Sequence, residues 1–461
     1  MNRNPKKSVG ETLLETFLCG VSSMSTLYII TLIAGFCGVT SGGFQHGFSD
    51  VNHMMWGWLG APFSPAVTQF YAATYDLIVL SSGSRIDWDN ITATKDWDLY
   101  SQALELRRLN PNVKILLYEA TQWGTLGQGP TELKEHPEYW LRDDNGVPYH
   151  PLSMDFRVKQ ARQWWIEMIQ QAQAGKNTRF LFDGLLVDSG SASIHVNFND
   201  ASHTMSAANQ RLLIEAKMQM LAEAQDFYTR LNGGRVLSNP LLNWGVIGFP
   251  GREAKLDFPV TYHWQFVEGA LDEMFGGFSS LQGEQGFGNR TGLWNATTMN
   301  ISMTAMLNLT AQNKTVLVRG YPGPCGVPFT YLNTSDPSRK MVIPSYPALY
   351  PVQSPVTLAE ARNAAGSDRF ITQALAPFLI VANRNIWWSY AWFYSPSSGW
   401  YPCTDDSCVG PAEWYPLFSK PLGEPISPPT CTGGFKWTRK YAHAQVFVDL
   451  EDPSAARITW M

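Results

Sequence analysis

The stretch FDGLLVDSG, Phe182 to Gly190, decides the fold, and VEGALDEMFG, Val267 to Gly276, echoes it. Each reads acid, glycine, three mostly apolar residues and a second acid five positions after the first, Asp183 to Asp188 and Glu268 to Glu273. A short apolar run closed by a carboxylate is how a buried barrel strand reads when its C-terminal end carries chemistry. By the same rule Asp183 and Glu268 stand before their strand cores and are expected to cap or pair at the opposite rim.

Outward from these segments, apolar strand-like runs alternate with helical patterns, the order of a parallel sheet or barrel. The runs cover residues 53–59 (weakly), 76–81, 113–119, 180–188, 235–239, a sixth ending near 271, 315–320 and 385–394. Helical spacing covers 97–108, 155–174, 205–231, 293–309 and 368–381, with Gly233 and Gly234 stopping the third helix and Pro377 kinking the last. Eight strands with helices between them favour a closed barrel over an open sheet. The expected fold is therefore a (β/α)8 TIM barrel over residues 44–395, with long loop insertions such as 120–154. After residue 395 the pattern turns to Pro, Gly and Cys with two β runs, FKWTRKYA and AQVFVDL, expected to form a small hairpin extension over 396–461 packed on the barrel.

Residues 1–43 read as a leader. Arg3, Lys6 and Lys7 precede an uncharged stretch whose most apolar part, 26–39, is 14 residues long, short for a spanning helix and suited to a signal-peptide core. Cleavage before Gly42, with Val39 and Ser41 as the small residues, is one reading; residues 17–39 spanning whole as a signal anchor, the only membrane contact expected, is the other. Both send the remaining chain to the secretory pathway, lumenal or extracellular. Sequons at Asn90, Asn289, Asn295, Asn300, Asn308, Asn313 and Asn333 agree, and predict an exposed glycosylated face between 289 and 333. Outside the leader, Cys325, Cys403, Cys408 and Cys431 suit disulfides in an exported chain; of three pairings, Cys403 with Cys408 and Cys325 with Cys431 is preferred.

A net charge of -5 without a basic run excludes nucleic acid as the expected partner. No GxSxG elbow, P-loop, HExxH or Rossmann glycine pattern occurs, and CTDDSC lacks zinc-knuckle spacing or a His cluster, so no cofactor and no metal are expected. Nothing in the sequence points to a particular oligomer.

Barrel enzymes carry chemistry at the C-terminal ends of strands. That selects Asp188 and Glu273 as a catalytic carboxylate pair, with Glu119 and Asn239 as substrate contacts. Glycoside hydrolysis needs two such groups, one donating a proton to the leaving oxygen and one attacking or activating water; Glu273, near Phe275 and Phe278, is the expected acid. The simpler alternatives are a turn or helix-capping role for Asp188 and a solvated first-turn position for Glu273. Trp56, Trp58, Trp123, Trp388 and Trp392 fall at or near strand ends where flat rings could line a sugar subsite, although tryptophans more often fill cores.

These residues resemble the TIM-barrel glycoside hydrolases called hypothetical glycoside hydrolase family 15 and, more distantly, endo-α-1,4-polygalactosaminidase-like barrels. FDGLLVDSG, RVLSNP at 235–240 and EGALDEMF at 268–275 look like the family's fourth, fifth and sixth strand signatures, and PLGEP at 421–425 and KWTRKYAHAQVFVDL at 436–450 resemble its closing sequence. The resemblance covers roughly 53–450. It implies a glycosidase-like barrel acting on a poly- or oligosaccharide and makes Asp188 and Glu273 the matching acids. Two departures stand out: DSG replaces an Asp-Asn type ending, and Asp272 adds an acid to DEMF. A non-catalytic carbohydrate-binding barrel is the alternative expectation.

Overall fold

The computed structural model describes residues 44–51, 54–58, 65–81, 97–121, 133–149, 153–174, 181–190, 205–239, 241–242, 258–259, 261–275, 296–320, 330–332, 340–342, 367–390, 415–433 and 435–461. The leader, 1–43, lies outside them, and among the described residues no helix is long and apolar enough to cross a membrane.

Eight parallel strands form one sheet: β1 (Met54–Trp58), β2 (Leu77–Ser81), β3 (Lys114–Ala120), β4 (Gly184–Asp188), β5 (Arg235–Ser238), β6 (Gly269–Phe275), β7 (Thr315–Gly320) and β10 (Ile386–Tyr390). Each pairs with the next in sequence order, and β1 lies against β10, so the sheet curls round into the expected barrel. Helices α1 (Pro65–Thr74), α2 (Trp97–Leu109), α3 (Lys159–Ala174), α4 (Ala207–Asn232), α5 (Ala296–Ala311) and α6 (Asp368–Val381) alternate with the strands. The insertion between β7 and α6 contains a short antiparallel pair, β8 (Thr330–Leu332) and β9 (Lys340–Val342).

The strands are recognisable in the sequence because both their faces are buried, so they read as continuous apolar runs. One face fills the barrel interior with Leu77, Val79, Leu116, Tyr118, Leu186, Leu237, Leu271, Leu317 and Trp387. The other packs on the helices, as Ile78, Leu80, Ile115, Leu117, Leu185 and Val187 do. Phe44 joins the interior layer, accepting a hydrogen bond from Trp387 Nε1 at 3.0 Å through its carbonyl.

The acid-glycine pairs that open the two echoing segments belong to the N-terminal rim. A side chain at Gly184 would place its Cβ 2.1 Å from the Arg235 carbonyl oxygen, and one at Gly269 would stand 2.3 Å from that of Thr315. Glycine is required at both points because the neighbouring strand's backbone comes too close for any other residue. Asp183 pairs with Arg107 at 2.6 Å and accepts the Ile115 N–H at 2.8 Å; Glu268 lies 4.0 Å from Lys314 Nζ. Both acids therefore pair at the rim opposite the strand ends, as expected.

The C-terminal extension is larger than the predicted hairpin. Strands β11 (Thr430–Thr432), β12 (Lys436–Lys440), β13 (Ala444–Asp449) and β14 (Arg457–Trp460) form an antiparallel sheet in that order. Trp437, Val446 and Val448 share one apolar core with Ile371 and Phe378 of α6, so the sheet covers a barrel helix. Arg439 reaches from β12 to the end of α6, where its Nη1 donates to the carbonyls of Ile380 at 2.8 Å and Ala382 at 2.5 Å, while Tyr441 Oη donates to Leu379 at 2.5 Å. Helix ends leave carbonyls without intrahelical partners, and here a buried guanidinium from another sheet supplies donors. Replacing Arg439 with Met strands buried acceptors that cost about 1–3 kcal/mol each. Urea unfolding of that variant is expected to show a loss of about 2 kcal/mol or more; unchanged stability would mean that the helix end has other donors.

Candidate active site

The functional rim is built by strand alternation. Two residues beyond Leu186 on the interior face lies Asp188, and two beyond Leu237 lies Asn239, both at the C-terminal mouth; Tyr118 is itself an interior residue of β3. Their side chains converge. Tyr118 Oη donates to Asp188 Oδ2 at 2.5 Å, Asn239 Nδ2 donates to Oδ1 at 2.8 Å, and the Ser189 backbone N–H donates to Oδ1 at 2.7 Å. Three adjacent strands thus fix one half-buried carboxylate, with both oxygens accepting. A carboxylate held this way is suited to attack a carbon centre or take a proton from water.

Behind it the backbone turns sharply. Ser189 has φ +55°, a left-handed conformation uncommon for a non-glycine residue. Its carbonyl accepts from Lys217 Nζ of α4 at 2.9 Å and from Thr121 Oγ1 at 3.1 Å; Thr121 also donates through Oγ1, at 3.2 Å, and through its N–H, at 3.1 Å, to the Asp188 carbonyl. Lys217 is fully enclosed. Burial pushes its ammonium down to about 7, with the Asp188 charge acting in the opposite direction.

Tyr118 and Lys217 escape the sequence reading, yet each leaves a signal there. Tyr118 follows Leu116 by two in a strand, which puts it inside the barrel. Lys217 falls on the apolar stripe of α4 between Leu213 and Leu221, both buried.

Glu273 lies within β6, not after it: the strand continues to Phe275, and its ladder with β7 shifts register between Asp272 and Phe275. The acids end the apolar run at Leu271 but do not end the backbone pairing. The Glu273 side chain lies outside the described residues. Glu119 is corrected, because alternation turns it to the outer face with Ile115 and Leu117. There it is buried close enough to Tyr228 of α4 that its charge, second to burial, helps raise the phenol's pKa.

Trp388 is corrected too. It is fully buried on the helix-facing side, stacked on Phe378 at 5.4 Å between ring centroids and edge-on to Phe418 at 5.3 Å. Trp56 and Trp58 lie in β1 opposite Val79 and Ser81, their side chains outside the described residues, as are Trp123 and Trp392 entirely.

Among the sequons, Asn308 and Asn313 are exposed, but Asn300 is 3% exposed and its Oδ1 accepts from Trp437 Nε1 at 3.0 Å. The C-terminal sheet covers that position, unlike Asn308 and Asn313. Asn90, Asn289, Asn295 and Asn333 lie outside the described residues. Cys431 sits in β11 opposite Trp437, and Cys325, Cys403 and Cys408 lie outside the described residues. Among the described residues no cluster of three or more His, Cys, Asp or Glu could hold a metal ion.

Residues 99–275 match hypothetical glycosyl hydrolase family 15. The resemblance read from the fourth, fifth and sixth strand segments holds. The matched span contains β3, Asp188, Asn239 and the whole of β6, so it carries the candidate site. A search of the curated proteins finds no match.

Solved structures similar to this chain include the noncanonic maltogenic alpha-amylase AmyB from Thermotoga neapolitana, at 9% identity and TM-score 0.41, over 87% of this chain and 84% of that one. They also include trehalose-6-phosphate hydrolase from Bacillus licheniformis, at 10% identity and TM-score 0.34, over 59% of this chain and 57% of that one. A third is a GH31 dextranase from Flavobacterium johnsoniae complexed with glucose, at 10% identity and TM-score 0.41, over 74% of this chain and 36% of that one. The chain thus spans less than two thirds of the latter two. At TM-scores below 0.5, nothing about this site rests on these likenesses.

The buried lysine makes stability depend on pH with a definite sign. Below about pH 7 the ammonium is buried in the folded chain and hydrated in the unfolded one, so its full desolvation cost opposes folding. Between there and the ordinary lysine value near 10.4, the folded chain releases the proton first and the cost is relieved. Thermal unfolding of the wild type and Lys217→Met at pH 7 and pH 9 should therefore show the difference moving in favour of the wild type at the higher pH. A difference that stays flat would mean that Lys217 does not titrate in this window.

Proposed function

We propose that this protein is a glycoside hydrolase in which Asp188 and Glu273 act as a carboxylate pair on a poly- or oligosaccharide. The observation that carries the reading is Asp188 at the C-terminal end of a barrel strand, held by donors from β3, from the residue after β5 and from its own turn. The match of residues 99–275 to a glycosyl hydrolase family supports it. With both oxygens accepting, Asp188 takes the part of nucleophile or base, which leaves the acid's part to Glu273, two strands away.

The test is turnover on a polysaccharide panel by purified wild type, Asp188→Asn and Glu273→Gln. Loss of a general acid or base typically costs about a hundred- to ten-thousand-fold in rate, and each variant is expected to fall in that range or below. Unchanged turnover in both would end the assignment, and glycan binding that survives both would favour the non-catalytic barrel.

The proposal includes export of the chain, supported by the leader pattern and by the exposed sequons at Asn308 and Asn313. Enzymatic deglycosylation followed by peptide mass analysis should show a glycan mark at Asn308 and none at Asn300. Glycosylation at Asn300 would contradict its buried place beneath the C-terminal sheet.

A further inference from the structure

The reaction as proposed leaves Lys217 without a part. It is a costly residue where it stands, because Leu213, Ile214 and Leu221 beside it on α4 are apolar and buried, and an enclosed amine must be given a partner. One partner it has is the carbonyl of the residue directly after Asp188.

That residue, Ser189, is in the left-handed region at φ +55°, a strained conformation for a non-glycine residue that persists only where surrounding contacts hold it. Two donors from outside the turn reach the Ser189 carbonyl, Lys217 Nζ at 2.9 Å and Thr121 Oγ1 at 3.1 Å. The consequence of the turn is visible on the other side of the same residue. With Ser189 in this conformation, its N–H donates to Asp188 Oδ1 at 2.7 Å, and the carboxylate stands between Tyr118 and Asn239.

We propose that Lys217 is a positioning residue for Asp188. Together with Thr121 it anchors the Ser189 carbonyl, holds residue 189 in the left-handed conformation, and so keeps the carboxylate aimed into the barrel mouth. The anchor works in either protonation state of the lysine, since a neutral amine still has hydrogens to donate. The contact through which Lys217 positions the carboxylate is its hydrogen bond to the backbone of Ser189. The inference rests on the glycosidase reading for its catalytic consequence, but the coupling between Lys217 and the turn does not.

Glycine separates this role from plain packing, because it adopts positive φ without strain and has less need of the anchor. Four proteins are compared: wild type, Lys217→Met, Ser189→Gly and the double variant. Lys217→Met is expected to lower kcat by about tenfold or more with KM little changed, the pattern of a lost transition-state contact and not of lost binding. Adding Ser189→Gly to Lys217→Met is expected to restore most of that loss. Thermal unfolding should show the same coupling without any substrate: Lys217→Met should lower Tm less when it is introduced alongside Ser189→Gly than when it is introduced into the wild type.

Thr121→Val, which removes the second donor while keeping the backbone bond, is the parallel variant should Lys217→Met fail to fold. It is expected to lose kcat in the same way and to be rescued by the same glycine substitution. Unchanged kcat in both anchor variants, or losses that Ser189→Gly does not restore together with additive Tm shifts, would overturn the proposal. If Asp188→Asn retains full turnover, the glycosidase reading falls, and the Tm coupling still decides whether Lys217 holds the turn.

Discussion

The parallel ladders that join β3, β4 and β5 decide which side chains meet at the barrel mouth. Tyr118 is registered opposite Leu186, and Leu186 opposite Leu237, so these three form one inward layer and Asp188 begins the layer above it. A slip of one residue in any of the three strands would turn its inward set outward, because strand side chains alternate strictly. A slip of β3 would turn Tyr118 toward the helices and take from Asp188 one of its three donors. The glycines at the opposite rim defend this register: the space between β4 and β5 at Gly184, and between β6 and β7 at Gly269, admits no side chain. The feature that makes the two segments look alike in sequence is thus a packing device at the bottom of the barrel, and the chemistry stands at the other end of the same strands.

Most of the barrel is legible in the sequence because parallel strands covered on both faces must be apolar throughout, and such runs are hard to mistake when helices of ordinary length separate them. The limits of that signal are equally physical. At β6 the apolar run stops at Leu271 because Asp272 and Glu273 look like a strand ending. Backbone pairing does not depend on side-chain polarity, and the ladder continues through a register shift to Phe275. The extent of the C-terminal sheet is hidden for a similar reason, since β11 and β14 are short and largely exposed on their outer faces.

The site is legible only where position along a strand and face of the strand agree. Asp188 and Asn239 satisfy both conditions. Glu119 satisfies only the first: it is near the end of β3 but one residue out of phase with Tyr118, and the phase sends it toward α4. Trp388 fails in the same way, out of phase with the interior residue Trp387. Sequence distance from a strand end locates the rim, and parity then selects which residues there can meet a substrate. Asn300 shows a different limit, because a sequon is a local pattern and its burial under Trp437 comes from a strand 137 positions later.

The two ends of β4 also differ in how their acids are satisfied. Asp183 is balanced by the Arg107 and Lys114 cations and a backbone N–H at the strand start. Asp188 is held by neutral donors, the Tyr118 hydroxyl, the Asn239 amide and the Ser189 N–H, while the enclosed amine of Lys217 donates to the backbone behind it. A direct ion pair would satisfy the carboxylate and blunt it as a nucleophile or base, whereas neutral donors orient it and leave its charge available to a substrate. Both rims carry a left-handed residue and a desolvated lysine, Ser189 and Lys217 here and Asn313 and Lys314 opposite. What differs is how the acid is satisfied, by cations at the opposite rim and by neutral donors at this one. That asymmetry is expected where one end of a barrel is built to hold the fold and the other to hold a reactive group in place.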